Sequence, residues 1–131
     1  MYVPEGYGTV FPYIFASQAS EYLEFLVAGL GATELGRTTA PDGSVANARM
    51  RIGTTSFMVS QAGGKYPPSS AAFYLYVEDA DAACARAVEH GAELIHAPMD
   101  MDYGDRQGGV TDPSGNVWWI STRVQHEPYD A

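Results

Sequence analysis

The sequence of 131 residues is poor in basic residues, has a single cysteine and contains no long apolar run. Seven Lys and Arg residues stand against 16 Asp and Glu residues, and the formal net charge is −9. Because no basic stripe is present to neutralise phosphates, we expect no nucleic-acid partner. The lone Cys84 has no partner for a disulfide within the chain, which is typical of a reducing cytoplasm. Its Ala-rich helical surroundings indicate a buried thiol that contributes to packing.

No stretch approaches the roughly 18 apolar residues of a membrane span, so we expect no membrane partner. Residues 1–6 lack the basic and apolar regions of a signal peptide, and we therefore expect a cytoplasmic protein. Aromatic residues, in contrast, are abundant: nine Tyr, five Phe and two Trp. With 46% hydrophobic and 18% charged residues, the composition predicts a globular chain whose aromatic residues need an explanation.

The hydrophobic patterns and turn residues predict the order β-α-β-β-β twice. The first half predicts strands at 9–16, 32–39, 45–52 and 56–61, and a helix at 19–30 that Ser17 caps and that Gly29 and Gly31 close. The second half predicts strands at 73–77, 93–97, 106–111 and 117–123, and a helix from its cap, Asp79, to about His90. The halves align at an offset of 61 residues, which relates Tyr13 to Tyr74 and Ser60 to Ser121.

The segment 62–70 is rich in Gly, Pro and Ser, which indicates a linker. We therefore predict a first βαβββ module with an N-terminal arm over 1–61, a second module over 71–125 and a tail over 126–131. Each module is too small to bury one face of a sheet by itself. We expect the two modules to pair their sheets and form one domain.

Short motifs accompany the repeat: PEGY at 4–7, TVFPY at 9–13, GA at 31–32, RIG at 51–53, VEDAD at 77–81, YGDR at 103–106 and DPSGNVW at 112–118. From about residue 4 to 123, the chain resembles the vicinal oxygen chelate superfamily, which includes glyoxalase I, bleomycin resistance proteins and extradiol dioxygenases. It is most similar to small glyoxalase-like members. The resemblance implies an α+β fold in which two βαβββ repeats form an eight-stranded curved, cupped sheet with helices outside. It also implies a homodimer.

Active members of that superfamily hold a divalent metal with His, Glu or Gln side chains from the first and last strands of each unit. The register of the strands puts these positions near Phe11, Met58, Ala72 and Trp119. None of these residues is a ligand that such a metal prefers. We therefore expect no metal and no cofactor, which disfavours a metal-dependent glyoxalase or dioxygenase activity.

Strand alternation divides the side chains between two faces. The set predicted to line the cup is Phe11, Tyr13, Phe15, Met58, Ser60, Ala72, Tyr74, Tyr76, Val117, Trp119 and Ser121. The set predicted to face the helices is Ile14, Val59, Phe73, Leu75, Val77, Trp118 and Ile120. Only the first set carries hydroxyl groups, and these polar tips indicate a surface that can bind a ligand.

The leading interpretation is metal-independent binding of a small organic ligand, aromatic or cationic. Aromatic faces attract cations, and the charge of −9 attracts the same ligands. The candidate ligand-binding residues are Phe11, Tyr13, Met58, Tyr74, Trp119, Ser121 and Arg106. For Arg106, an ion pair with Asp105, Asp112 or a sheet partner is the alternative to ligand binding.

Two other functions stay open. One is an enzyme of the same superfamily, a lyase, isomerase or dioxygenase, in which Tyr13, Tyr74 or Arg106 polarises the substrate without a metal. The other is a non-binding dimeric scaffold in which the aromatic side chains fill the cup.

Overall fold

The computed structural model describes residues 1–129, which fall into two units, the second beginning at Ser70. The first unit comprises β1 (Tyr13–Ala16), α1 (Ala19–Leu30), β2 (Thr33–Thr39), β3 (Val45–Ile52) and β4 (Thr55–Gln61). The second comprises β5 (Ala72–Tyr76), α2 (Ala80–Glu89), β6 (Glu93–Asp100), β7 (Asp105–Thr111) and β8 (Val117–Arg123). The prediction of an α+β fold with two βαβββ units is confirmed, and the strands of residues 1–129 form two sheets of four.

Both sheets have the same strand order, in which the last strand of the unit lies beside the first. β4 pairs in parallel with β1 and antiparallel with β3, while β8 pairs in parallel with β5 and antiparallel with β7. Tyr13 is the partner of Met58 in the first sheet, and Tyr74 is the partner of Trp119 in the second. The predicted offset of 61 residues is therefore present in the register of these strands.

Burial alternates along the strands and gives each sheet one face against its helix. The buried strand residues of the first unit include Ile14, Ala48, Met50 and Val59, and those of the second include Val110, Trp118 and Ile120. Helix α1 adds Tyr22, Leu23, Phe25 and Leu26 to the first core. Neither helix of the described residues is long and apolar enough to cross a membrane.

Helix α2 approaches its sheet closely because small residues meet there. A Cβ atom built on Gly108 of β7 would lie 2.6 Å from the Cys84 sulfur atom of α2 and 3.0 Å from Pro98 of β6. Cys84 is buried, and this burial raises the pKa of its thiol. The prediction that Cys84 contributes to packing is confirmed.

Two predicted strand boundaries are wrong, and proline is involved in both. The first strand begins at Tyr13 rather than at residue 9, since Pro12 has no N–H to donate to a ladder and only its carbonyl accepts, from Met58 N at 3.1 Å. β6 continues to Asp100 rather than ending at residue 97. It is an edge strand, where Pro98 is tolerated. The other elements agree with the predictions to within one residue.

The start of α1 is capped by a residue that the local sequence does not reveal. Gln18, not the predicted Ser17, is at the N-cap position, and its side chain makes no capping hydrogen bond. Instead, Oε1 of Gln61 on β4 accepts from the backbone N–H of Ala19 at 3.0 Å. The Gln61 amide also donates to the carbonyl of Ser17.

The other helix ends largely follow the predictions. Asp79 caps α2 by accepting from the N–H of Ala82 at 3.1 Å. Gly31 ends α1 with a φ of 75°, in the left-handed region that favours glycine. Gly29 does not end the helix, because it lies buried within α1, where a Cβ atom would be 2.8 Å from the Phe25 ring. Close packing therefore explains Gly29.

Replacing Gln61 by alanine removes the cap of α1. We expect Gln61→Ala to lower the free energy of unfolding by about 1 kcal/mol, as the loss of a helix cap does. Gln18→Ala is the matched control, because the Gln18 side chain makes no capping hydrogen bond. Urea denaturation measures both variants, and an equal loss in Gln18→Ala would contradict this account of the helix start.

Candidate functional site

We call the side of each sheet that faces away from its helix the open face. On the open face of the first sheet, three aromatic rings form a stack. The ring centroids of Tyr13 and Phe15 are 4.9 Å apart, and Tyr66 continues the stack 5.4 Å from Phe15. Tyr13 is 44% exposed. The stack therefore presents ring surface to a ligand.

A chain of hydrogen bonds fixes the Tyr13 hydroxyl. Arg49 donates to Oδ1 of Asn47 at 2.9 Å, and the Asn47 amide donates to the Tyr13 hydroxyl at 3.2 Å. The Tyr13 and Ser60 hydroxyls are 2.7 Å apart, and Ser60 donates onward to the Ala46 carbonyl at 2.7 Å. Since the Ser60 hydroxyl donates its only proton to the Ala46 carbonyl, it accepts from the Tyr13 hydroxyl. Its ring is thereby held in one orientation.

The open face of the second sheet is built on a buried carboxylate. Asp105, the first residue of β7, is fully buried. Its Oδ2 accepts from the hydroxyls of Tyr74, of Tyr76 at 2.9 Å and of Tyr129 at 2.7 Å. Its Oδ1 lies 3.2 Å from a guanidinium nitrogen of Arg123. A buried charge requires such pairing and hydrogen bonding, and four donors supply it here.

These hydrogen bonds leave the tyrosine rings accessible. Tyr74 and Tyr76 are 46% and 47% exposed, and their centroids are 5.3 Å apart. Partial burial and the hydrogen bond to Asp105 raise the pKa of Tyr74. Tyr74 therefore keeps its proton and acts as a donor at neutral pH.

Trp119 lies over a glycine in the middle of the same face. Gly109 pairs with both Trp119 and His96, and a Cβ atom at Gly109 would be 2.5 Å from Cζ3 of the indole. The indole therefore rests on the β7 backbone. The His96 ring is stacked 5.9 Å from it. Tyr74 is the neighbour of Trp119 on the other side.

Ser121 supports this face from beneath. It is fully buried, and its hydroxyl accepts from Nε2 of Gln107 at 2.9 Å. Oε1 of Gln107 in turn accepts from the Tyr103 hydroxyl at 2.9 Å. Ser121 thus positions neighbouring polar groups rather than offering its own hydroxyl to a ligand.

The structure brings some of the predicted site residues together. Tyr13 and Met58 are partners on the first sheet, and Tyr74 and Trp119 are partners on the second. Phe11 precedes β1, and its ring lies 5.0 Å from that of Tyr7 in a tilted arrangement.

Arg106 does not join the other predicted residues of the second sheet. It lies on the helix side of β7, where its guanidinium contacts Asp81 of α2 at 2.7 and 2.9 Å and Asp100 of β6 at 3.2 Å. Asp81, followed by Asp100, raises the pKa of Arg106. The ion pair considered as the alternative to ligand binding is present. Its partners are Asp81 and the sheet partner Asp100, rather than Asp105 or Asp112.

The DPSGNVW motif stabilises the turn between β7 and β8. Oδ1 of Asp112 accepts from the backbone N–H groups of Ser114 and Asn116, both at 2.9 Å. Its Oδ2 accepts from the indole N–H of the buried Trp118 at 2.8 Å. Oδ1 of Asn116 accepts from the N–H of Ala71, which precedes β5. Asp112 and Asn116 of this motif therefore fix the turn and its connection to β5.

The four positions at which the family resemblance implies metal ligands do not fit a divalent metal. They hold Phe11, Met58, Ala72 and Trp119, which offer at most the weak thioether of Met58. Within residues 1–129, no three His, Cys, Asp or Glu side chains come together as a group that could hold a metal ion.

The local sequence does not predict the roles of two residues of the second open face. Asp105 belongs to the YGDR motif, and strand alternation predicts that its side chain and that of Arg106 lie on opposite faces of the sheet. No neighbouring residue indicates that tyrosine hydroxyls converge on Asp105. Tyr129 belongs to the predicted tail, 126–131, whose last two residues lie outside the described residues. No sequence signal indicates that Tyr129 returns to β7.

Two βαβββ units, each with its first and last strands paired in parallel, define a repeat class of α+β proteins. Comparison with protein families gives the narrower assignment. The model of the Glyoxalase/Bleomycin resistance protein/Dioxygenase superfamily matches residues 9–120. This chain belongs to that superfamily.

Sequence relatives occur in mycobacteria. The uncharacterized protein Mb0911c of Mycobacterium bovis is 33% identical over 130 residues, which cover 91% of this chain and 86% of the relative. The uncharacterized protein Rv0887c of Mycobacterium tuberculosis is also 33% identical, over 91% of this chain and 76% of its own length.

Solved structures share the fold. TioX from Micromonospora sp. ML1 has a TM-score of 0.74 at 23% identity, over 89% of this chain and 100% of TioX. TnmS3, described as an antibiotic binding protein from Streptomyces sp. CB03234, has a TM-score of 0.71 at 24% identity, over 94% of this chain and 98% of TnmS3.

The raised pKa of Tyr74 predicts a loss of stability in alkali. Above about pH 10 the unfolded chain releases this proton while the folded chain retains it, so the free energy of unfolding falls as pH rises. Tyr74→Phe removes this contribution, and we expect its stability to fall less steeply with pH. Tyr2→Phe, at an exposed residue outside both sheets, is the control. Denaturation across that pH range measures the slopes, and identical slopes for Tyr74→Phe and wild type would contradict the assignment.

The contact of Trp119 with Gly109 gives a second test of this face. A methyl group at residue 109 forces the indole to move, and overpacking of this kind lowers stability by about 1–3 kcal/mol. We expect Gly109→Ala to show that loss together with a shifted tryptophan emission. Gly63→Ala is the control, because a Cβ atom there meets nothing within 4 Å. Unchanged emission and stability in Gly109→Ala would show that the indole does not rest on β7.

Proposed function

We propose that this chain binds a small organic ligand, aromatic or cationic, without a metal, on the open aromatic faces of its sheets. The observation that carries the proposal is the combination of anchored hydroxyls and exposed rings. Tyr13, Tyr74 and Tyr76 each donate a hydrogen bond to a fixed partner while almost half of each residue stays exposed.

This arrangement is favourable for binding because the rings are already held in place. Ordering a side chain at an interface costs binding free energy, and a ring fixed in advance avoids most of that cost. Trp119 adds a partly exposed indole ring, which rests on Gly109. A flat ligand can stack on the rings of either open face without first having to rearrange them.

The charge distribution supports a cationic ligand. The formal net charge of −9 draws cations toward the chain, and ring faces attract them at short range. The charge of Arg123 balances that of Asp105 on the second open face, so the short-range attraction for a cation comes from the aromatic rings. The chain contains such a contact of its own, because the Arg123 guanidinium lies 4.5 Å from the centroid of Tyr129.

Similarity of fold to a known binding protein supports the proposal that this chain binds a ligand. TnmS3, which has this fold, is described as an antibiotic binding protein. The nature of the ligand of this chain is inferred from its own rings and charge. The homodimer, the cytoplasmic location, and the absence of metal, cofactor and nucleic-acid partners stay predictions from the sequence.

The geometry favours binding over the two alternatives. For an enzyme without a metal, the sequence suggested Tyr13, Tyr74 and Arg106 as polarising groups. Each already has a protein partner: Ser60, Asp105 and Asp81, respectively. For a scaffold with filled faces, buried rings would be needed, whereas Tyr13, Tyr74 and Tyr76 on the open faces are exposed.

A matched pair of probes tests the proposal. N-methylacridinium and acridine share one flat ring system, and only the first carries a fixed positive charge. We expect N-methylacridinium to bind more tightly, to quench tryptophan emission and to bind less tightly at high salt. Trp119→Ala should weaken its binding by about tenfold, the equivalent of one cation–π contact.

Tyr2→Ala serves as the control, since it removes an exposed aromatic residue that lies on neither open face. Calorimetry with and without a chelator completes the experiment, and we expect the same affinity in both. Equal affinity of Trp119→Ala and wild type would place the ligand elsewhere. Loss of binding in the chelator would contradict metal independence.

A further inference from the structure

The three tyrosines around Asp105 are held by the chain in different ways. Tyr74 and Tyr76 belong to β5, so the sheet fixes their backbone. Tyr129 belongs to the irregular segment after β8 and reaches the same Oδ2 atom at 2.7 Å. It is also 55% exposed. Tyr129 is therefore the one member of this trio that can leave Asp105 without disturbing a strand.

Backbone hydrogen bonds and Arg123 hold this segment near β7. The N–H groups of Val124 and Gln125 both donate to the Gly104 carbonyl, at 2.9 and 3.3 Å, and Arg123 donates to the Glu127 carbonyl at 2.5 Å. The guanidinium of Arg123 also covers the Tyr129 ring, at 4.5 Å from its centroid. The phenol thus meets an anionic acceptor at its hydroxyl and a cation over its ring, and it touches the same carboxylate as Tyr74.

We propose that Asp105 and Arg123 form a subsite for a hydroxyaryl group, which Tyr129 occupies in this structure and which a phenolic ligand takes by displacing it. The inference rests on the proposed function and narrows its ligand class to flat molecules that carry a phenolic hydroxyl. Such a molecule reproduces both contacts of Tyr129, the hydrogen bond to Oδ2 and the stacking beneath the guanidinium. Its remaining rings would extend over Tyr74 and Tyr76.

The experiment compares 4-fluorophenol with 4-fluoroanisole by fluorine NMR titration. The two probes share a ring, but the second has no hydroxyl to donate. A tethered phenol competes at an effective concentration on the order of millimolar, so its removal should strengthen probe binding. We expect Tyr129→Ala to bind 4-fluorophenol about tenfold more tightly than wild type, as a hydrogen bond to a charged group implies, and to show a much smaller gain for 4-fluoroanisole, which can stack beneath Arg123 but cannot donate.

Tyr129→Phe and Tyr2→Ala are the matched variants. The first keeps the ring beneath Arg123 and removes only the hydroxyl, so we expect a smaller gain than in Tyr129→Ala. The second should show no gain. Equal binding of 4-fluorophenol to wild type and Tyr129→Ala would overturn the subsite, and so would an equal gain for 4-fluoroanisole.

N-methylacridinium binding, measured on the same samples, separates the two proposals. If 4-fluorophenol shows no gain while N-methylacridinium still binds through Trp119, the subsite is wrong and the proposed function stands. If N-methylacridinium does not bind but 4-fluorophenol shows its hydroxyl-dependent gain, the preference for a cationic ligand is wrong, while binding of an aromatic ligand and the subsite both stand. Circular dichroism of each variant verifies that the fold is retained.

Discussion

A carboxylate buried away from water must be surrounded by donors, and this requirement organises the open face of the second sheet. Asp105 meets it with tyrosine hydroxyls and the Arg123 guanidinium. Because a tyrosine that donates inward turns its ring toward the surface, satisfying one charge also produces an aromatic surface. The polar interior and the exposed rings of this unit are therefore two consequences of one interaction.

The first unit reaches a similar surface without a buried charge. Its third strand begins with the buried Val45 at the place where the second unit has Asp105. There the neutral sequence of hydrogen bonds from Asn47 through Tyr13 to Ser60 fixes the ring. The repeat thus preserves strand order and pairing, while the polar groups behind the rings differ. A preference of the ligand for one face would follow from this difference.

The sequence predicts what depends on neighbouring residues. Alternation along β1 and β5 assigns Tyr13 and Tyr74 to the open faces. Turn residues predict the boundaries of most helices and strands to within one residue. Contacts between distant residues are not predictable in this way. Gln61 caps a helix that begins 42 positions earlier, and Arg106 pairs with Asp81 from 25 positions away. Such partners can be identified only once the register of the strands and the position of the helix on the sheet are known.

The central claim is that the open aromatic faces bind a flat ligand without a metal. A crystal structure of the protein with N-methylacridinium, grown in the presence of a chelator, tests it most directly. The account predicts the acridinium ring stacked on Trp119 or on the open-face tyrosines, with no metal between ligand and protein. An acridinium ring bound only in the groove between α2 and β6, lined by residues such as Val88 and Leu94, would contradict it.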